Sequence, residues 1–520
     1  MGMVRALQIA RGETMKGMLI KGRWILPAAC ALLVMGVSAL AQGTATPGGT
    51  VIHNKASATY TDDVTSPTKY SATSNDVTTT VAYVAGLEIT PDASAPATTV
   101  NPGATGTYTF TVKNLGNFTD NVEFAASGAS IRLTGTGTVS QGFIDVNSNG
   151  TYEAGTDVDI KGNGAAVSYS LAQGASVPVV IKILADVAAT GGTALKVELG
   201  DASTGGPTFD NQAANNSANE VHTKSPGGIT PVNGEREAKG DITYTISNIS
   251  LVKNGPTGNA EAVGPGPSDN TDYTNKAVSQ SATNTAVVFD NTLKNKGNFA
   301  DTVKISVASG GAAAGSKVEI SLDGGSTWTT VILAGAATAT PDVTTGSVAA
   351  GATLNYKVRV TLPAGVTAYS ASDTVISATS VGDSTQKNNT IDRIYAGYLQ
   401  LTKTAVVVNS TGVGAATDAV PGAFIDYTVA YANVANTPTG TGNVDLDALQ
   451  VVITEDGDTG TNNWASTTDQ VSATEVDSRG GSIAISSSTG GVANSKYVDT
   501  VGTLPAGQSG TLKFRRKIKS

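Results

Sequence analysis

The clearest pattern in the sequence is a two-residue alternation of apolar and polar side chains. In GTYTFTVKN, residues 106–114, one parity carries Gly106, Tyr108, Phe110 and Val112, and threonines occupy the positions between them. Because successive side chains of a β-strand point to opposite faces, this alternation predicts a strand with one buried face and one solvated face. No segment shows the longer period of an extended amphipathic helix.

The same alternating strand returns twice further along the chain. The second copy is weaker but keeps Val287, Phe289 and Leu293 in phase. The third copy is AVPGAFIDYTVAYAN, and its alternating apolar residues are Ile425, Tyr427, Val429 and Tyr431. A repeated strand of this kind indicates a repeated structural unit.

A second recurring element leads from a glycine turn into another alternating strand. It appears as LAQGASVPVVIKI at 171–183, VAAGATLNYKVRV at 348–360 and LPAGQSGTLKFRRKI at 504–518. Pro178 in the first of these lacks a backbone donor, which favours an edge strand there. A third repeat, KNLGNFTDNV at 113–122, returns as KNKGNFADTV at 294–303.

These repeats predict an all-β chain of tandem immunoglobulin-like β-sandwich domains that follow an N-terminal signal peptide. SPGGITPVNG has the composition of a Pro/Gly linker. The predicted divisions are a signal peptide at 1–41, a strand-rich lead at 42–85, repeat 1 at 86–224, the linker at 225–234, repeat 2 at 235–396 and repeat 3 at 397–520.

The chain resembles the conserved repeat domains of exported bacterial cell-surface proteins, many of which have no known function. The resemblance lies in a PG turn before an alternating strand, an N-x-G-N motif, and a closing L-x-x-G-x-S/T strand. It covers most of residues 50–520 and is best in the third unit. It implies a sandwich fold and an envelope location, and it carries no catalytic residues.

The N-terminus has the pattern of an export signal. Lys16, Lys21 and Arg23 precede the uncharged run WILPAACALLVMGVSALA, which closes on a small-x-small cleavage pattern. Met15 is an alternative start, and an uncleaved anchor helix is the alternative to cleavage near Gln42. No later stretch is apolar over the length of a membrane span.

Cysteine content and charge narrow the function classes. Cys30 is the only cysteine and lies within the signal, so the exported chain is expected to have neither disulfides nor thiol chemistry. The 42 acidic residues outnumber the 33 basic ones, giving a formal net charge of −9. This balance argues against a nucleic-acid partner and suits divalent cations outside the cell.

Residues 143–157, FIDVNSNGTYEAGTD, fit two interpretations. Oxygen-bearing residues recur at the spacing of a calcium loop, and the candidate ligands are Asp145, Asn147, Asn149, Thr151 through its carbonyl, Glu153 and Asp157. The twelfth position is Thr156 rather than glutamate, and no helices flank the segment, so this is not an EF-hand. The alternative is a plain hairpin corner, because Asn-Gly is a strong turn signal.

Two further loops carry candidate chemistry. SLDGGSTW at 321–328 matches a hairpin that recurs in sialidase propellers, but propellers carry several such boxes, so Asp323 is expected to cap the turn and Trp328 to pack beneath it. EDGDTG at 455–460 brings together acidic residues near Trp464, either as a solvated loop or as a second, weak cation site.

Histidine catalysis has little support, because His53 and His222 are the only histidines and neither adjoins a candidate nucleophile. Nucleophile-elbow, zinc-protease and Walker motifs are also missing from the sequence.

The C-terminal LKFRRKIKS is basic on an otherwise acidic chain. Its charges are interpreted either as guards of a terminal edge strand against aggregation or as a basic foot that docks on an anionic envelope polymer or on the acidic surface of a neighbouring subunit.

The sequence therefore predicts an exported, non-enzymatic protein of the cell envelope or cell surface that acts as a structural spacer, layer component or adhesive module. Its expected partners are envelope polymers, other surface proteins or further copies of itself. The alternative is a carbohydrate-binding or glycan-processing envelope protein, in which Trp328 or Trp464 would stack on a sugar.

Overall fold

The computed structural model describes residues 45–65, 67–200, 220–222, 239–264, 269–333, 342–436 and 440–520. The predicted signal peptide and the predicted linker at 225–234 lie outside these ranges. Nearly all of the regular secondary structure in these ranges is β-strand, as predicted, and the one α-helix described is the single turn α1, Trp464–Thr467. Within these ranges no helix combines the length and apolarity needed to cross a membrane.

The N-terminal lead consists of short strands, most of them exposed. They are β1 (Val51–Asn54), β2 (Ser57–Tyr60), β3 (Tyr70–Thr73), β4 (Val77–Thr80) and β5 (Tyr83–Ala85). β1 pairs with β4 and β2 pairs with β3, both antiparallel. The lead thus forms a ribbon whose two chain segments run side by side.

The first sandwich, which follows the lead, packs two layers of strands around one core. Its strands are β6 (Leu87–Thr90), β7 (Asp92–Val100), β8 (Thr105–Asn114), β9 (Asp120–Phe124), β10 (Ile131–Thr134), β11 (Gly137–Ile144), β12 (Val158–Asp159), β13 (Val167–Leu171), β14 (Ser176–Ala185), β15 (Ala194–Gly200) and β17 (Lys239–Ile246). The short β16 (Glu220–His222) pairs instead with β5 of the lead. One layer has the order β12-β11-β14-β8-β6, and the other contains β10-β15-β17-β7 and the pair β13-β9.

The alternation in β8 predicts its burial residue by residue. Tyr108, Phe110 and Val112 are fully buried in the first core, while the threonines between them face solvent. The isoleucines of β17 also belong to this core, although the sequence prediction places residues from 235 onward in the second unit. The division into separate domains stays a prediction.

Pro178 does not lie on an edge strand, so that prediction is wrong. Its strand β14 is the middle strand of its sheet, between β11 and β8. The Pro178 carbonyl accepts a hydrogen bond from the Asp145 N–H, one residue beyond the end of β11. Pro178 has no N–H to donate, and this side of the residue faces the loop after β11. No further hydrogen bond between strands is therefore lost there.

The second sandwich has two layers of five strands. Its strands are β18 (Val252–Pro256), β19 (Tyr273–Val278), β20 (Ala286–Asn295), β21 (Asp301–Ala312), β22 (Lys317–Ser321), β23 (Thr329–Ile332), β24 (Val343–Val348), β25 (Thr353–Thr361), β26 (Ala371–Ser380) and β27 (Lys387–Ala396). The layers have the orders β18-β20-β25-β22-β23 and β19-β27-β26-β21-β24. Phe289 and Leu293 of β20 are buried in the core between them, as the alternation predicts.

The third sandwich is smaller. Its strands are β28 (Leu399–Val408), β29 (Phe424–Asn433), β30 (Ala448–Asp456), β31 (Thr468–Gln470), β32 (Val476–Asp477), β33 (Ser482–Ser486), β34 (Lys496–Leu504) and β35 (Ser509–Ile518). One layer has the order β28-β29-β35-β31, with β32 also on β35, and the other has the order β30-β34-β33. Val429 and Tyr431 of β29 lie in its core, together with Trp464.

Candidate functional site

The predicted calcium loop is a corner held by its own hydrogen bonds. Asp145 is buried at the end of β11, and its carboxylate accepts the backbone N–H groups of Asn149 at 3.1 Å and Gly150 at 2.8 Å. Asp157 is also buried and accepts the N–H groups of Val146 at 2.9 Å and Glu153 at 2.8 Å. The two aspartates therefore fix the two ends of the loop.

The exposed side of this corner is closed by Glu153. Its carboxylate accepts hydrogen bonds from the side-chain amides of Asn147 at 2.7 Å and Asn149 at 3.1 Å, and the Thr151 N–H donates to the Asn149 side-chain oxygen at 2.7 Å. All six predicted ligand residues thus lie in one corner. In the described ranges no cluster of three or more His, Cys, Asp or Glu side chains is placed to hold a metal ion. Calcium binding, which would also need the asparagine oxygens, stays a prediction.

The second acidic loop has protein partners for its carboxylates. Glu455 pairs with Lys403, and Asp458 accepts the hydroxyl of Ser488. Asp456 accepts both the N–H and the hydroxyl of Thr489, and the bond from this hydroxyl is the main cause that lowers the pKa of Asp456 to about 2. The loop is therefore tied to β28 and to the loop after β33 rather than simply solvated.

Each described tryptophan has an arginine guanidinium over its ring. Trp464 is only 6% exposed and packs in the third core, with the Arg516 guanidinium 4.9 Å from its ring centre. Trp328 is half-buried, and the Arg359 guanidinium lies 4.3 Å from its ring centre. Asp323 caps the turn that leads to Trp328, as predicted, since it accepts the N–H and hydroxyl of Thr327 at 2.9 and 2.6 Å.

The basic C-terminal segment does not form an edge strand, so the interpretation of its charges as guards of a terminal edge is wrong. β35 pairs with β29 on one side and with β31 and β32 on the other. Arg516 points into the core and is fully buried, whereas Arg515 on the opposite face pairs with Asp426. Lys513, Arg515, Lys517 and Lys519 share the parity opposite to Arg516 and lie on the outer face, so docking of this basic face on an anionic polymer stays a prediction.

The second sandwich contains a buried carboxyl cluster that the sequence analysis missed. Asp272 and Asp392 are both fully buried. Thr390 donates its hydroxyl to Asp272 at 2.6 Å, and Asn291 donates its side-chain amide to Asp392 at 3.1 and 3.2 Å. Burial raises the pKa of Asp272 to about 7 and holds the pKa of Asp392 well above its usual range.

An N-x-x-N motif occurs at 114–117, 295–298 and 433–436, and its first asparagine shapes the turn that follows the strand. Asn114, Asn295 and Asn433 end β8, β20 and β29, and each is 1–2% exposed. Each donates its side-chain amide to at least two carbonyls of its own sandwich and accepts the N–H two residues later. The carbonyl acceptors are Phe118 and Leu171 for the first, Phe299 and Val348 for the second, and Leu446 and Leu504 for the third.

The second asparagine reaches outside its own sandwich. Asn298 donates its side-chain amide to the carbonyls of Ala189 at 3.1 Å and Ser247 at 2.9 Å, and it accepts the Ile249 N–H at 2.8 Å. Ala189 lies in the loop before β15 of the first sandwich, and the other two groups lie in the connection after β17. The Gly191 N–H adds a backbone bond to the Asn298 carbonyl at 2.8 Å. Asn298 therefore fixes the joint between the first and second sandwiches.

Asn117 makes the same set of bonds to the lead. Its side-chain amide donates to the carbonyls of Thr46 at 3.2 Å and Ala82 at 2.9 Å, and its side-chain oxygen accepts the Val84 N–H at 2.8 Å. The Gly48 N–H donates to the Asn117 carbonyl at 3.0 Å, in the position of Gly191 at the other joint. The sequence repeat at 113–122 and 294–303 thus encodes a repeated joint. Sequence inspection finds the repeat but not the partners of its second asparagine.

Comparison with known proteins yields only distant similarities. No family model matches the sequence, and no curated protein matches it. The CupB6 tip adhesin from Pseudomonas aeruginosa is similar at 10% identity and a TM-score of 0.21, over 61% of this chain and 98% of that one. The major pilin subunit BcpA of Bacillus cereus is similar at 10% identity and a TM-score of 0.17, over 61% of this chain and 69% of that one.

Cadherin domains 1–4 of protocadherin gamma B7 are similar at 10% identity and a TM-score of 0.24, over 85% of this chain and 79% of that one. Neither the identities nor the TM-scores define a family for this chain.

Proposed function

We propose that this chain is an exported, non-enzymatic protein of the cell envelope or surface, in which tandem β-sandwiches act as a spacer and assembly module. The observation that carries the proposal is the repeated asparagine joint. At Asn117 and again at Asn298, one side chain fixes three backbone groups of the preceding segment with the same geometry. A joint repeated in this way suits a protein whose role is to hold folded units in a fixed succession.

The candidate chemical sites support the same proposal. The carboxylates at residues 145–157 and 455–458 are used in hydrogen bonds and ion pairs that shape their own loops. The tryptophans considered for sugar stacking each already hold an arginine guanidinium against the ring. The described residues therefore give no specific support to the carbohydrate-binding alternative.

The proposal is tested on intact source cells. An antibody raised against the first sandwich should label the outside of unpermeabilised cells, and fractionation should recover the chain with the envelope or the medium. Recovery in the cytosol, with labelling only after permeabilisation, would contradict it. A glycan array with the same protein checks the alternative, for which binding lost on Trp328→Ala would be required.

A further inference from the structure

The lead carries a copy of the hairpin that closes the first sandwich. β1 and β4 pair in the same register as β15 and β17: Ile52 lies opposite Thr79 as Leu195 lies opposite Tyr244. The cross-strand pair between His53 and Asp76 at 2.7 Å corresponds, position for position, to the pair between Lys196 and Asp241 at 2.8 Å.

The turns that start the two hairpins also correspond. TPGGT at 46–50 and ATGGT at 189–193 each end in a threonine whose hydroxyl donates to the carbonyl three residues earlier, at 2.7 Å for Thr50 and 2.6 Å for Thr193. Gly49 and Gly192, at the same place in the two turns, have φ of 81° and 77°. The hairpin β26–β27 of the second sandwich starts in the same way, after Tyr369 at a φ of 59°. We call the β1–β4 copy the lead hairpin.

In the first and second sandwiches this hairpin completes the fold. Its first strand extends one layer, since β15 pairs with β10 and β26 pairs with β21. Its inner side chains cover the strand that begins the opposite layer. Ile89 of β6 is therefore 2% exposed, and Asn254 at the same place in β18 is 0% exposed and donates to the carbonyl of Ile376 in β26.

In the described part of the third sandwich, no hairpin occupies the position that β15–β17 and β26–β27 take in the other two. β30 follows the third N-x-x-N as β21 follows the second, and it has β34 on one side and no strand on the other. Leu401 of β28 lies opposite Tyr431, as Ile89 lies opposite Val112. Tyr431 is buried, so Leu401 faces the same layer, yet it is 52% exposed.

The inner face of the lead hairpin, which corresponds to the buried face of β15 and β17, is exposed. In the described ranges β1 pairs with β4 alone. Ile52 and Val77 are 51% and 57% exposed, whereas Leu195 and Ile242, at the same positions of the first sandwich, are 0% and 7% exposed. Within the described ranges, the lead is thus an apolar hairpin that pairs with no layer, and the third sandwich has a layer with no hairpin on it.

We propose that the lead hairpin of one molecule completes the third sandwich of a second copy, with β1 added antiparallel to the free edge of β30. Ile52 and Val77 then cover Leu401. Strand addition of this kind joins backbone ladders and buries apolar side chains together. The contact is head-to-tail, so it propagates into a chain of molecules rather than a closed dimer. This inference rests on the proposed assembly role and names its partner, a second copy.

Two variants of the full-length protein separate the two sides of the contact. Ile52→Asp with Val77→Asp disables the hairpin, and Leu401→Asp disables the acceptor. All three positions are exposed within one molecule, so each variant is expected to fold. Light scattering after gel filtration, over a wide concentration range, should show species larger than one chain for the unchanged protein and the complete loss of these species for each variant alone.

Mixing the two variants should restore a single contact and give a two-chain complex that grows no further, because one intact hairpin meets one intact acceptor. Val64→Asp, a control on a fully exposed lead residue, should assemble like the unchanged protein. A single-chain mass for the unchanged protein at every concentration would overturn the inference, as would undiminished assembly of the hairpin variant. Either result leaves the surface-labelling test of the proposed function intact.

Discussion

At the scale of single residues, one asparagine side chain shapes the turn after each of the strands β8, β20 and β29. Asn114 is almost fully buried and gives both amide hydrogens to backbone carbonyls of its own sandwich. Asn114→Asp keeps the shape and the acceptor oxygen but removes both donors and places a negative charge against two carbonyls. We expect a loss of about 2–3 kcal/mol in the free energy of unfolding. Urea denaturation measures it, and the exposed Asn121→Asp is the matched control, expected to change little.

The buried carboxyl groups of the second sandwich predict a dependence of stability on pH. The folded pKa of Asp272 is raised to about 7 by burial, above its value in the unfolded chain, and Asp392 shifts in the same direction. The stabilising contribution is then fully present at low pH and is lost as pH rises through about 7. We expect the free energy of unfolding of this sandwich to fall by on the order of 1–2 kcal/mol between about pH 5.5 and 7.5.

Hydrogen exchange of peptides from the second sandwich, followed across this pH range, measures the effect. Asp272→Asn should reduce the pH dependence to the part due to Asp392, because the asparagine side chain accepts the Thr390 hydroxyl without titrating. Stability that increases with pH in the unchanged protein would refute the predicted direction.

The calcium hypothesis also belongs at this scale. Asp145, Asn147, Asn149 and Glu153 bring side-chain oxygens into one corner, where a bound calcium ion would stabilise the folded form in proportion to its saturation. We expect calcium to raise the melting temperature of the unchanged protein relative to chelator, and Glu153→Gln to reduce this shift. An equal melting temperature with calcium and with chelator would leave the corner as a purely structural turn.

At the scale of strands, the sequence predicts well what is periodic and poorly what depends on distant partners. The alternation of β8 foretells which of its residues are buried, because one strand in contact with a core imposes its own period. This alternation does not predict which strands pair with β17, because the pairing depends on strands that lie far away in the sequence. Pro178 illustrates the same limit: its missing donor suggests an edge, yet the end of β11 accommodates it inside a sheet.

Charged residues are the other place where local pattern is insufficient. Asp392 and Arg516 occupy inward positions of their strands, but a charged side chain in an alternating segment is ordinarily assigned to the solvated face. What keeps them inside is a set of polar partners from other strands, such as Asn291 for Asp392. Those partners lie far away in the sequence, so the phase of the alternation alone does not reveal them.

Adjacent arginines in β35 test this difference between faces. Buried Arg516 donates to the carbonyls of Asn494 and Thr468 at 2.6 and 2.8 Å and to the hydroxyl of Tyr497 at 3.1 Å. Arg516→Met leaves those acceptors without donors and should cost about 2–4 kcal/mol. Arg515→Met removes the same charge from an ion pair near the surface and should cost about 1 kcal/mol or less. Chemical denaturation of both variants checks the contrast, and equal losses would contradict it.

At the scale of the whole chain, the repeated joint links the folded units by few but specific bonds. The side chain of Asn298 supplies three of them. Its backbone adds two more, from the Gly191 N–H and to the Ile249 carbonyl. Because the backbone bonds do not depend on the side chain, removing the amide should loosen the joint without separating the sandwiches. The order of units along the chain would persist while their relative orientation became less defined.

Asn298→Ala makes this prediction measurable. Spin labels on cysteines at exposed positions on either side of the joint, Thr138 and Lys387, report the distance between the first and second sandwiches. Each lost hydrogen bond contributes about 0.5–1.5 kcal/mol, so we expect a broader distance distribution in Asn298→Ala with unchanged circular dichroism. The labelled protein with Asn121→Ala, a change remote from the joint, should keep the narrow distribution. Equal widths in both variants would mean that the backbone bonds alone hold the joint, and that the second asparagine of the repeat has a different role.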